Sequence, residues 1–251
     1  MSIIWKNKYA NIKSPLPIVS VIIAAAGSGS RMGGIYKPML PICDKKAILY
    51  SLEVFQKSPY VSKIAVSAKK ESFDEIYDLA KSSGITKLAC LCEGGDTRQQ
   101  SVTNAFKTIF AKKEDITPFI AIHDAARPLI TQNQIENAFL CAFKYGSAVC
   151  ASRVRDTIKR TNDQAFITQS VDRNNLWQIQ TPQIFDTDIF HTALSFALKN
   201  KFEATDESSL LENAGFNVKL FECSSQNIKI TYPEDVMLAQ AILENKKNTE
   251  F

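Results

Sequence analysis

The sequence predicts an α/β fold, a mostly parallel sheet flanked by helices, and three observations carry that prediction. Residues 19–37 read VSVIIAAAGSGSRMGGIYK, an apolar run that breaks into Gly27, Ser28 and Gly29, followed by Arg31, Gly33, Gly34 and Lys37. A continuous apolar run ended by glycine is the pattern of a strand buried on both faces. Further short apolar runs alternate with stretches of helical period, as a sheet covered by helices requires. Charged, turn-forming residues recur after successive runs: Arg31 and Lys37, then Asp96 and Arg98, then Asp124 and Arg127. A buried core accounts for the runs but not for those loops. Loops at the carboxyl ends of parallel strands are where such folds hold ligands.

The elements follow in order. Residues 47–56 have helical period, with Ile48, Leu49, Leu52 and Phe55 on one face and Pro59 beyond. Residues 63–68 read as a strand, 73–82 as a helix ended by Gly84, and 86–92 as a strand entering EGGDTR. A helix over 101–110 precedes an apolar strand at 118–123, which Asp124 to Pro128 terminates. Residues 131–144 predict a helix stopped by Gly146, and 147–154 a strand. From 155 to 180 the chain is polar and alternating, with Asn162-Asp163 as a turn. That is a hairpin with too little apolar surface to stand alone, resting on a twofold-related partner or on its own subunit. Thr181-Pro182-Gln183 closes it. Helices at 188–199 and 206–213, strands at 217–221 and 227–231, and a helix from Pro233 to about residue 243 complete the chain. Pro233, Glu234 and Asp235 suit a helix N-terminus, so the two carboxylates are read as structural. The last residues, NKKNTEF, read as a frayed end.

Composition narrows the function. The 251 residues are 45% apolar, enough for one substantial core, and 30 basic against 26 acidic residues leave a formal charge of +4. So small and dispersed an excess argues for local anion sites rather than a nucleic-acid stripe. Cys43, Cys90, Cys92, Cys141, Cys150 and Cys223 lack zinc-ligand spacing and read as free thiols of a reducing cytoplasm. No apolar run is long enough to span a membrane, and charges interrupt the N-terminal stretch too early for a signal peptide. Residues 1–17 read as an N-terminal extension, 18–245 as one domain with the arm at about 153–180 inserted.

The glycine loop reads as a nucleotide site of neither familiar kind, or else as a surface turn whose Arg31 and Lys37 are merely solvated. Its Gly27-x-Gly29…Gly33 spacing is one residue longer than the dinucleotide fingerprint, and no G-K-[S/T] follows. Glycines still let main-chain N–H groups approach phosphate while Arg31 and Lys37 supply opposing charge.

Several separated blocks then agree. AAAGSGSRMG with a following lysine, EGGDTRQQSV, HDAARP, VRDTIKR, VDRNNLWQIQTPQ, ATDESSL and NIKITYPED resemble, in order, the 2-C-methyl-D-erythritol 4-phosphate cytidylyltransferase family. The resemblance implies a Rossmann-like nucleotidyltransferase fold with a protruding β-hairpin dimerisation arm. It implies joining of CTP and methylerythritol phosphate with release of pyrophosphate, in the non-mevalonate route to isoprenoids. Mg2+ or another divalent cation, a homodimer, and a cytoplasmic or plastid-stromal location come with it, without nucleic acid or membrane. The sister family acting on ribitol 5-phosphate shares the glycine loop, HDA-x-RP and NIKIT, but VRDTIKR and VDRNNLW look like the first family's arm. A nucleotide-sensing module that binds CTP without turnover is the non-enzymatic alternative. Pro38 departs from the glutamine most common in the family, and it restricts Lys37.

By the same resemblance, Arg31, Lys37 and Lys229 are the catalytic cations. Ala25, Ala26 and Gly27 would approach the triphosphate. Gly95, Asp96 and Ser101 would read cytosine, and Asp124 and Ala125 would lie by the ribose, Asp124 also near the metal. Arg127, Thr157, Arg173, Thr181 and Thr205 would hold the sugar phosphate, Thr157 and Arg173 reaching it from the arm in cis or across a dimer. Arg98 is read as a ligand-site residue or as a loop partner of Asp96. His123 reads as a buried, hydrogen-bonded histidine, Trp177 as packing, and Lys159 and Arg160 as solvated arm charges.

Overall fold

The computed structural model describes residues 18–27 and 29–249, so the expectations for the N-terminal extension and for Ser28 lie outside it. Its strands are β1 (Val19–Ala24), β2 (Pro41–Ile42), β3 (Lys45–Lys46), β4 (Val61–Ala68), β5 (Leu88–Glu93), β6 (Phe119–Asp124), β7 (Ser147–Arg153), β8 (Ile158–Thr161), β9 (Ile167–Val171), β10 (Trp177–Asp186) and β11 (Leu220–Glu222). Its helices are α1 (Ala47–Lys57), α2 (Phe73–Ser82), α3 (Arg98–Ile109), α4 (Gln132–Tyr145), α5 (Thr187–Asn200), α6 (Glu207–Asn213) and α7 (Pro233–Thr249).

Seven strands form one sheet in the order β11-β7-β10-β6-β1-β4-β5. Only β10 runs against its neighbours; the others are parallel in direction. Helices cover both faces. On one, Phe55 of α1, Ile76 of α2 and Phe139 of α4 pack with Val21 and Ile23 of β1. On the other, Val102 and Phe106 of α3, Phe190 of α5 and Leu210 of α6 pack with Ile22. Successive β1 residues thus enter opposite cores, which is why that strand reads as apolar throughout.

Several expectations change. Residues 181–183 do not close the hairpin: they lie within β10, a ten-residue strand seated between β6 and β7. Its register shifts between Ile179 and Gln183, the kind of interruption at which a strand tolerates proline. Its sequence, WQIQTPQIFD, hides the strand because Gln180, Thr181 and Gln183 are buried polar residues. Distant side chains satisfy them: Asn227 Nδ2 donates to Gln180 Oε1 at 2.9 Å, and Gln183 Nε2 to Asp206 Oδ2 at 2.8 Å. Residues 227–231 are not a strand. Ile230 N–H donates to the Ala126 carbonyl at 2.8 Å, but the Thr231 and Tyr232 N–H groups go to Asp235 Oδ2 at 2.7 and 2.9 Å. Asp235 is structural, as expected. Finally α7 continues to Thr249 rather than stopping near 243.

The polar hairpin is a two-stranded ribbon of β8 and β9. Asn162 turns it, its N–H donating to Phe166 O and its Oδ1 accepting from the Phe166 N–H.

Candidate active site

The carboxyl ends of β1, β5 and β6 open on a cavity of about 410 Å³, within the range of small-molecule sites. Ala24 pairs with Asp124 in the β1–β6 register, and the Ala125 N–H donates to Ala24 O at 3.0 Å, which brings the ends of the first and third charged loops together. Gly29 has φ +67°, and a Cβ there would meet Ile35 O at 2.0 Å, so only glycine lets the loop fold back on itself. A Cβ on Gly94 would strike Ala26 Cβ at 2.2 Å, so the second loop can lie against the first only with glycine there.

Four cations line the cavity among the described residues: Arg31, Lys37, Lys229 and Arg98. Arg31 lies over the Tyr232 ring with 6.0 Å to its centroid. Lys37 Nζ donates to Thr231 O at 3.2 Å, across 194 residues. Lys229 Nζ donates to Asp124 Oδ2 at 2.7 Å. Burial, then the Arg31 and Lys229 charges, push the Lys37 ammonium below its ordinary pKa. Like charges gathered this way suit an anionic ligand.

Asp124 is the hub of the floor. Arg98 reaches its Oδ1 with Nε at 3.1 Å and Nη2 at 3.0 Å, and Arg127 Nε lies 3.9 Å from Oδ2. Burial opposes ionisation of Asp124, but Arg98, Lys229 and Arg127 outweigh it and hold the carboxyl well below the usual range. Arg98 sits where it does because α3 starts at Arg98, not near 101. Thr97 and Gln100 form a capping box that begins the helix three residues early. Arg98 therefore does not pair with Asp96 across the loop.

Gly95, Asp96 and Ser101 share the cavity wall with Ala25, Ala26, Gly27 and Ala125. Ser101 Oγ accepts the Gly95 N–H at 3.0 Å and donates to Thr97 O, fixing the loop's shape. The remaining candidates lie off the wall. Arg127 is turned to main-chain carbonyls, Nη1 to Asn227 O at 2.7 Å and Nη2 to Ile179 O at 3.3 Å. Thr181 is buried behind Asp124, its Oγ1 accepting the Asp124 N–H at 3.0 Å. That leaves the Thr181 hydroxyl proton for His123 Nδ1 at 3.1 Å, and His123 Nε2–H for Arg127 O at 3.2 Å. His123 is thus a buried structural histidine, its pKa pushed down to about 4 chiefly by burial. Thr157, Arg173 and Thr205 are exposed. Arg173 lines a second cavity at the ribbon's base with Arg153 and Arg155, and its Nη1 donates to Arg155 O.

Sequence reading missed Glu207. It is 1% exposed and accepts Arg98 Nη1 on Oε1 at 2.6 Å. The only signal was its place beside Asp206 in ATDESSL, where it reads as one more helix-start acid. Among the described residues no three His, Cys, Asp or Glu side chains are grouped to hold a metal. The described residues therefore hold no preformed carboxylate, histidine or thiol cage.

Comparison with known proteins points to one family. The family described as 2-C-methyl-D-erythritol 4-phosphate cytidylyltransferase matches residues 19–245. A relative of that name from Lysinibacillus sphaericus is 39% identical over 227 residues, 90% of this chain and 96% of the relative. Another from Clostridium botulinum is 38% identical over 226 residues, 90% and 97% of the two chains. The solved structure of 4-diphosphocytidyl-2C-methyl-D-erythritol synthase from Anaerococcus prevotii superposes with a TM-score of 0.77 at 26% identity, covering 90% of this chain and 96% of that one. The Francisella tularensis 2-C-methyl-D-erythritol 4-phosphate cytidylyltransferase gives 0.74 at 30% identity, covering 89% and 98%. Matched by that family's model over residues 19–245 and by relatives 38–39% identical across 90% of its length, the chain belongs to the 2-C-methyl-D-erythritol 4-phosphate cytidylyltransferase family.

Proposed function

We propose that the protein transfers the cytidylyl group of CTP to 2-C-methyl-D-erythritol 4-phosphate, giving 4-diphosphocytidyl-2-C-methyl-D-erythritol and pyrophosphate. The observation that carries this reading is the convergence of Arg31, Lys37 and Lys229 on one cavity whose floor is Asp124. An oxygen of the polyol phosphate attacks the α-phosphorus in line. A new P–O bond forms as the bond to the bridging oxygen of the β-phosphate breaks, and that electron pair leaves with pyrophosphate. The nucleophile needs no general base, because the second pKa of a phosphate monoester is about 6. The barrier is repulsion between two anions. Preset cations lower it, each worth about 2.7–4 kcal/mol by analogy with an oxyanion-hole donor.

In this reading Arg31, Lys37 and the N–H groups near Gly27 grip the triphosphate, and Lys229 meets the reacting phosphates. Asp96 accepts from the exocyclic amine of cytosine, on a loop held by Ser101 and Gly95. Ala125 and Asp124 border the ribose. A divalent cation such as Mg2+ fits the donor set: one carboxylate, with the CTP phosphates supplying further oxygens. When bound it supplies added charge neutralisation at those phosphates, and Asp124 is the residue to hold it. Arg127, Thr181 and Thr205 serve the polyol phosphate side. The ribbon is a dimerisation arm that carries Thr157 and Arg173 to the partner's site. Cytoplasmic residence goes with this chemistry; among the described residues no helix is long and apolar enough to cross a membrane.

The test is pyrophosphate release from CTP with methylerythritol phosphate and ribitol 5-phosphate in parallel. Release with the first alone is expected. Release only with ribitol phosphate reassigns the acceptor, and CTP binding without release under either acceptor makes the protein a sensor.

A further inference from the structure

Glu207 has no place in the chemistry above, yet it is joined to the floor more firmly than several residues that do. It occupies the first position of α6, and that helix is bolted to β10. Asp206 caps it, with Oδ1 accepting the Ser209 N–H at 3.0 Å and Oδ2 the Gln183 Nε2–H at 2.8 Å. Gln183 Oε1 in turn accepts the Ser208 N–H at 2.9 Å. The Glu207 carboxylate is consequently fixed by backbone, not by a flexible approach. Its Oε1 accepts Arg98 Nη1, while Oε2 is buried without a partner among the described residues.

Arg98 is held at both ends. Nε and Nη2 both address Oδ1 of Asp124, and Lys229 addresses Oδ2. The two oxygens of Asp124 are thereby divided, Oδ1 held by Arg98 and Oδ2 by Lys229. Arg98 also lines the cavity. A guanidinium released there would be drawn to the triphosphate and would leave Asp124 free to turn. Burying a carboxylate is costly unless its partner is held in return, so a buried Glu207 with one bond is a brace with a single task.

We propose that Glu207 is a positioning residue for the transfer: by holding Nη1 of Arg98 it keeps that guanidinium on Oδ1 of Asp124, leaving Oδ2 for Lys229 and the cavity. This rests on the cytidylyl-transfer reading and adds to it a residue from α6, 109 positions along the chain from Arg98. The reach of the side chain matters more than its charge, because a single oxygen makes the contact.

Five full-length variants, three at Glu207, Arg98→Ala and the double alanine variant, test this by pyrophosphate release, CTP affinity by calorimetry, and thermal melting. Glu207→Ala is expected to lower kcat about 10- to 100-fold, by analogy with residues that orient a metal's ligands, with the CTP Kd within about threefold of the parent. Glu207→Asp retains the charge but falls short of Nη1, and loses rate like alanine. Glu207→Gln keeps the accepting oxygen and restores most of the rate. Arg98→Ala combined with Glu207→Ala costs no more than the larger single loss, since residues acting as a unit are not additive. A merely structural role would lower the melting temperature without separating kcat from affinity. Parent-like kcat in Glu207→Asp overturns the proposal even if Glu207→Ala does not fold, and so do losses that multiply in the double variant. Silence of the parent enzyme with both acceptors would instead overturn the transfer reading and this inference with it.

Discussion

The cavity floor and the β8–β9 ribbon are both rich in charge, and they handle it in opposite ways. On the floor, Asp124, Arg98 and Glu207 are mostly buried, and each answers a charge from a distant part of the chain. On the ribbon, Lys159, Arg160, Asp172 and Arg173 are exposed, and Lys159 and Arg173 bond to partners within the arm. Apolar groups follow the same division. Phe166 and Ile167 at the ribbon's tip are 67% and 66% exposed, whereas Ile120 and Ile122 beneath the floor are fully buried. Charges desolvated and oriented during folding need little rearrangement when a substrate's charge arrives. The ribbon, by contrast, keeps apolar side chains at its tip in solvent, which fits the contact proposed for it with a second surface. One region is preorganised, and the other is left open.

Changing the cations tests the floor hardest. Lys37→Ala and Lys229→Ala are each expected to lower kcat by roughly 10²–10³-fold, and near-normal turnover in either would remove that lysine from the charge-stabilising set. The next effect lies just behind the floor. His123 is neutral when folded, with its pKa at about 4 against 6.5 for an ordinary histidine, so between those values the unfolded chain binds more protons. Stability therefore falls as the pH drops from 6.5 toward 4, by about 3 kcal/mol from this group. Urea midpoints across that window should show the loss, and His123→Gln should flatten it; an equally steep curve in the variant would place the titration elsewhere. The smallest effect on stability belongs to the ribbon. Phe166→Asp with Ile167→Asp should leave the melting of the chain changed by less than about 0.5 kcal/mol, while sedimentation shifts from dimer to monomer. A parent protein that already sediments as a monomer at micromolar concentration would end the arm's proposed role.

How much could be read in advance depended on where each residue's partners lie. α1, α2 and α4 were legible because their apolar period and stop signals are local; Gly146, at φ +78°, ends α4 as expected. The start of α3 was misread by three residues, though the Thr97–Gln100 capping box stood in the sequence. β10 was missed since its buried glutamines and threonine look like loop, and their partners come from residues 152, 206, 208, 224 and 227. Residues 227–231 erred the other way, an alternating segment whose N–H groups go to scattered partners, Asn227 to Ser224 O, Ile230 to Ala126 O and Thr231 to Asp235. In the site, the glycine loop and the three cations were legible from motif order. Arg98 was undecided and Glu207 unseen.

By itself the sequence determined the sheet-and-helix layering, the nucleotide loop and the family, because apolar period, turn chemistry and motif order are properties of neighbouring residues. Tertiary structure alone decided which oxygen of Asp124 faces Lys229, that Arg98 braces it, and that Glu207 holds Arg98. Those bonds join residues up to 109 positions apart, and no local pattern encodes a distance that only the folded sheet sets.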